Sequence, residues 1–169
     1  MVHILGDSIP KYVGLIEKAD VFTFPGINVA RLTSRVQRDP FLISKDFTII
    51  HVGTNDVCHL SEEEILSCFN NVITVIRNVS RTRILISSIL PRPLDYARTG
   101  SKVKNINGQL KKLCEERRVQ CLHSFRPFFK EGKPMRRLFA VRDGGLHLHA
   151  EGTRILRSFF VNTVAHLPI

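Results

Sequence analysis

The chain has 169 residues, 43% of them hydrophobic, and a formal net charge of +10. That length fits one domain with a sizeable core, and no run of about 18 apolar residues exists to cross a membrane as a helix. The opening Met1–Gly6 carries no charged segment and no signal-like apolar stretch, so nothing directs secretion.

Apolar runs alternate with helical patterns along the whole chain, which predicts β-α-β units and a parallel sheet. Val2–Leu5 reads as a short buried strand ending at Gly6-Asp7-Ser8. It starts almost at Met1, which suggests excision from a longer protein. Lys11–Lys18 reads as a helix. Val21–Phe24 is a second strand, stopped by Pro25-Gly26, and Asn28 can cap a helix reaching Arg38. Phe47–Val52 is a third strand, closed by Gly53-Thr54-Asn55-Asp56. Ser61 and Glu64 form a capping box, after which Ile65, Phe69, Val72, Ile73, Ile76 and Val79 follow at helical spacing.

Arg83–Ile89 is a fourth strand, ended by Pro91-Arg92-Pro93. A basic helix over 102–117 leads to a fifth strand at Val119–His123. A loop rich in Arg, Lys and Phe runs to Arg142, and a last helix spans 150–165. Five strands with intervening helices predict a three-layer α/β/α sandwich in one domain. In such sheets, sites gather beyond the carboxyl ends of the strands. The clusters Gly6-Asp7-Ser8, Pro25-Gly26 and Gly53–Asp56 all fall on that edge.

Cys58, Cys68, Cys114 and Cys121 match no zinc or C-x-x-C spacing, and three lie in apolar-periodic or strand segments. They read as buried free thiols in a reducing compartment. The charge predicts attraction to RNA, DNA, an anionic membrane or acidic proteins without choosing among them. Basic residues concentrate at 98–118 and 126–142; a solvated surface explains them equally well, since no aromatic-interleaved RNA motif accompanies them.

Acyl transfer needs a nucleophile, a base, an orienting group and donors for an oxyanion. Ser8, just past a buried strand, can project from a tight turn with its own N–H toward a developing oxyanion. Gly26 offers an unobstructed N–H, and the Asn55 amide offers two donors. Taken singly, each is also ordinary turn chemistry. Asp56 reads as a local turn-stabilising partner. Arg142-Asp143-Gly144-Gly145-Leu146-His147-Leu148-His149 puts a carboxylate near an imidazole, the side chain best suited to base catalysis near neutrality. His147 is the preferred base over His149, which is placed to cap the last helix. His3, His51, His123 and His166 read as packing or surface residues.

In this order and spacing, Gly6-Asp7-Ser8, Gly26, Gly53-x-Asn55-Asp56 and Asp143…His147 resemble the four blocks of SGNH, or GDSL, hydrolases. The resemblance covers nearly the whole chain. It implies a five-stranded parallel sheet of flavodoxin-like order and a serine esterase acting on acetyl or longer acyl esters, lipid esters included, with no cofactor and no metal. It assigns Ser8 as nucleophile, His147 as base and Asp143 as its orienting acid, with Ser8, Gly26 and Asn55 as the oxyanion hole. One departure stands out: the family usually has two residues between the acid and the histidine, and here there are three, Gly144, Gly145 and Leu146. Two glycines can absorb the extra residue. Otherwise a backbone carbonyl would have to assist a Ser–His pair.

Phe24-Pro25-Gly26, Ser88–Pro93 and Arg142–Leu148 are further similar to esterase domains in the first open-reading-frame proteins of LINE-type retrotransposons of vertebrates. That resemblance implies a cytoplasmic, RNA-associated setting and oligomerisation through segments outside this chain. The competing expectation is a basic nucleic-acid- or membrane-surface-binding module that keeps the esterase fold with little or no turnover.

Overall fold

The computed structural model describes residues 1–169. Five strands form one sheet: β1 (Val2–Gly6), β2 (Ala19–Thr23), β3 (Phe47–His51), β4 (Arg83–Ser87) and β5 (Gln120–Leu122). Every pairing is parallel and the order is β2-β1-β3-β4-β5. Gly6 on β1 is in register with Thr23 on β2 and His51 on β3. The three turns that follow those residues therefore leave the sheet side by side.

The strands read as continuous apolar runs because both faces are covered. Leu5, Ile50, Ile84 and Ile86 face α1 (Val29–Arg38), α2 (Glu62–Val79) and α3 (Tyr96–Arg117). Val2, Ile4, Ile49 and Leu85 face the opposite way, against α4 (Ala150–Ala165) and the short 3-10 helix Ile9–Tyr12. Ile65, Phe69, Val72, Ile73 and Ile76, picked out by their spacing, are the buried residues of α2. Each such side chain contributes roughly 1.5–3 kcal/mol on burial. No helix is long and apolar enough to cross a membrane.

Three local expectations need correction. Lys11–Lys18 is not a helix: the 3-10 turn ends at Tyr12, and Gly14 (φ +72°) and Lys18 (φ 61°) turn the chain back so that Ile16 bridges to Ala19. Helix α3 begins at Tyr96, six residues earlier than its basic pattern indicated. Gly100 lies inside it, where a Cβ would come 2.6 Å from the Tyr96 ring. The loop before Arg142 contains a small antiparallel hairpin, β6 (Phe129–Lys130) and β7 (Lys133–Pro134), too short to show periodicity.

All four cysteines are free, but only Cys114 is fully buried. Cys58 is exposed, while Cys68 and Cys121 are half-buried. Cys121 lies on the edge strand β5, which one neighbour leaves partly open.

Candidate active site

The chain leaves β1 through Gly6, where no side chain fits: a Cβ would lie 2.3 Å from Pro10 Cγ. Asp7 turns inward, and its Oδ1 accepts the Ile9 N–H at 2.8 Å. That bond starts the 3-10 helix and fixes Ser8 at its first turn, with Ser8 facing outward and half-buried. Burial pushes the Asp7 carboxyl up to about 7. The Ile9 N–H and the His147 charge pull it down, and nearby Asp56 pushes it further up.

Ser8 Oγ lies 2.9 Å from His147 Nε2. On the other side of the ring, His147 Nδ1 lies 2.7 Å from Asp143 Oδ2. The extra residue between acid and imidazole is absorbed by a tight turn. Gly144 (φ +72°) and Gly145 (φ +99°) both take conformations that favour glycine. Side chains there would also collide, with Leu94 Cδ1 at 2.7 Å from a Cβ on Gly144 and Pro93 Cβ at 2.7 Å from one on Gly145.

Asp143 is the hub of that turn. Its Oδ1 accepts the Gly145 and Leu146 N–H groups at 3.1 and 3.0 Å, and its Oδ2 also accepts the His147 N–H at 3.3 Å. Partial burial raises its pKa, but the His147 ring and these N–H groups outweigh it and hold the carboxylate below its ordinary range. An imidazole bonded to a hydroxyl on one nitrogen and a carboxylate on the other can take a proton from the hydroxyl.

Gly26 sits in the Phe24–Ile27 turn after β2 with φ +76°, and nothing within 4 Å would meet a Cβ there. Asn55 is held by the turn after β3, where its Nδ2 donates to the Ile27 carbonyl at 2.9 Å. One N–H of that amide remains unused. The Ser8 and Gly26 N–H groups are likewise unused within the chain. A cleft of about 340 Å³ opens over Ser8 and His147, lined also by Lys11, Tyr12, Pro25, Arg142 and Thr153. A larger depression at the opposite end of the sheet, beside Phe47, Arg83 and Gln120, holds none of these groups.

Three neighbours escaped the sequence reading. Asp56 is not a local turn partner: its Oδ2 accepts the Val29 N–H of α1 at 3.2 Å, 27 residues away, so it ties two edge turns together. Arg92 is buried, forks onto Asp95, and donates to the Thr54 carbonyl at 2.6 Å and hydroxyl at 3.1 Å. Lys102, counted among the surface charges, donates to the Val57 and Leu60 carbonyls. Both cations thus brace the turn that carries Asn55. No spacing in the sequence announces this, because the partners are backbone carbonyls. His149 does stand at the N-cap of α4, but its side chain makes no capping bond. His51 is buried and neutral, its pKa pushed down to about 4 by burial, and bonded to Ser87.

The family model for GDSL-like lipases and acylhydrolases matches residues 4–155. The chain belongs to that family. No curated protein matches it. Among solved structures, this GDSL-type chain is similar to a member of the lipolytic G-D-S-L family from Veillonella parvula, with 16% identity, 98% of each chain covered and a TM-score of 0.82. An acetyl xylan esterase is 17% identical, with 97% of this chain and all of that one covered, at a TM-score of 0.77. The esterase domain of the ORF1 protein from the zebrafish ZfL2-1 retrotransposon is 26% identical, with 98% and 99% covered and a TM-score of 0.54.

Proposed function

We propose that this GDSL-type hydrolase is a serine esterase that cleaves acetyl or longer acyl esters, with Ser8 as nucleophile. The observation that carries the reading is the unbroken path from Ser8 Oγ through the His147 ring to Asp143. Ser8 Oγ attacks the ester carbonyl while His147 Nε2 takes its proton. Asp143 holds the ring with Nδ1–H toward itself and stabilises the imidazolium. The carbonyl oxygen, now negative, is met by the free N–H groups of Ser8, Gly26 and Asn55, each worth about 3 kcal/mol where aligned. The C–O bond to the alcohol breaks, and the leaving oxygen takes the proton from His147. Water then repeats the sequence on the acyl-serine, releasing the acid and restoring Ser8.

The likeness to the zebrafish domain supports a place in a LINE-type retrotransposon protein. Hydrolysis of 4-nitrophenyl esters of increasing chain length tests the activity. Ser8→Ala should lose at least ~10³-fold in rate. Equal hydrolysis by that variant overturns the reading, and the chain-length profile of the wild type sizes the acyl pocket.

A second reading rests on the charge of +10: the domain also holds a polyanion such as RNA. Several cations are already engaged, since Arg117 bonds Asn70 and Thr74 and Arg137 pairs with Glu151. RNA binding through the remainder should weaken steeply with salt. Salt-independent binding contradicts this reading.

A further inference from the structure

Beside the cleft over Ser8 lies a second cavity, a groove of about 680 Å³ between the Phe24–Ile27 turn and one face of α1. Pro25 lines both. The groove's helix wall is made of Arg31, Ser34, Arg35 and Arg38. These arginines lie outside the basic stretches at 98–118 and 126–142, and the path through Ser8, His147 and Asp143 does not use them.

None of the three has a carboxylate partner among the ion pairs of the chain. Arg35 lies over the Phe24 ring, its guanidinium carbon 5.1 Å from the centroid, which orients the fork without using its N–H edge. Arg38 spends only Nε, on the Ser34 carbonyl at 3.3 Å. The Arg31 side chain makes no hydrogen bond; it stands in a first helical turn that holds no acid, where its charge opposes the helix dipole. A bound anion would offset that cost. No acidic residue lines either cavity, and Lys11 and Arg142 add positive charge to the cleft.

Resting on the esterase reading above, we propose that the preferred substrate is an ester of a phosphorylated alcohol, with the phosphate seated in the arginine groove while the acyl carbonyl lies at Ser8. Phosphate fits better than a lone carboxylate. The arginines at i, i+4 and i+7 span about 10 Å of helix and present more planar donor pairs than one carboxylate can accept.

The test compares two acetyl esters that differ only in the charge: glycerol monoacetate and 1-acetylglycerol 3-phosphate, followed by acetate release. Wild type should favour the phosphorylated ester by roughly 10- to 100-fold in kcat/KM, less at high salt. In the Arg31→Gln, Arg35→Gln, Arg38→Gln triple variant the ratio should fall to near one. Taken within each variant, the ratio cancels any general loss of activity, and thermal melting checks the fold. A long-chain lysophosphatidic acid, compared with the acetyl ester, separates a lipid substrate from a soluble one.

A wild-type ratio near one, or a ratio the triple variant leaves intact, overturns the proposal while leaving the esterase reading in place. Failure to hydrolyse any ester, 4-nitrophenyl acetate included, sinks the esterase reading and this substrate assignment with it. Binding of glycerol 3-phosphate, titrated by amide chemical shifts at Gly26 and along α1, then decides the groove by itself. Saturable binding at least tenfold weaker in the triple variant supports a phosphate site, and its absence rules one out. Loss of RNA binding in the triple variant, with no change in substrate ratio, assigns the groove to RNA and contradicts the proposal.

Discussion

Asp143 Oδ2 stands 2.7 Å from His147 Nδ1 although three residues separate them in the chain. The reach depends on two glycines in left-handed conformations and on a carboxylate that also gathers three backbone N–H groups. The acid is therefore both the partner of the imidazole and the organiser of its own turn.

Asp143→Asn should separate these roles. The amide oxygen can still accept the Gly145 and Leu146 N–H groups, so the turn survives, but the negative charge beside the ring is gone. We expect kcat on 4-nitrophenyl acetate to fall about 10²- to 10⁴-fold with a nearly unchanged melting temperature. A fall in activity of less than tenfold would show that the ring needs no carboxylate.

Gly145→Ala places a Cβ at φ +99° and 2.7 Å from Pro93 Cβ. Strain and collision together should cost about 1–3 kcal/mol, read from urea unfolding. Activity should drop with stability, because the His147 loop moves as one piece. A variant as stable as wild type would show that the turn has another conformation available.

Arg92→Ala leaves Asp95 partly buried without its fork and frees the Thr54 carbonyl. Breaking such a pair should cost about 3 kcal/mol. Because Thr54 adjoins Asn55, kcat should fall by more than KM rises. Retention of full kcat in a measurably destabilised variant would limit Arg92 to a structural role.

Asp7 carries a pH signature. Its folded pKa, raised by burial to about 7, lies above its unfolded value of 3.8. Its contribution to stability is therefore full below about pH 4 and is lost as pH rises through 7. Asp7→Asn keeps the acceptor for the Ile9 N–H and removes the titration. Stability of the variant relative to wild type should rise between pH 4.5 and 7.5, by about 3 kcal/mol. A difference that does not change with pH would place the Asp7 pKa near its ordinary value. His51 does not confound this comparison, since it is present in both proteins.

Much of the fold was legible because burial on both faces writes the strands as unbroken apolar runs, as at Phe47–Val52, and because α2 carries both a capping box and a regular apolar stripe. Part of the site was legible for a related reason: Gly6, Ser8 and Asn55 stand where well-marked strands end, and His147 lies just before the last helix. What stayed hidden depends on contacts across the chain. Pro10 and Gly14 turn a helical pattern into a 3-10 turn and a bend. Arg92 and Lys102 look like surface charge until their carbonyl partners, 38 to 45 residues away, are in place. Arg31, Arg35 and Arg38 lie outside the basic stretches the sequence marks, and only the Phe24–Ile27 turn opposite makes them a groove.

The most direct test of the account is covalent: incubate the folded domain with a fluorophosphonate probe and locate the adduct by mass spectrometry. The account predicts a single adduct on Ser8, absent from Ser8→Ala and formed much more slowly in His147→Ala. Labelling of Ser8→Ala at the wild-type rate, or a folded wild type that takes up no probe, would contradict Ser8 as the nucleophile.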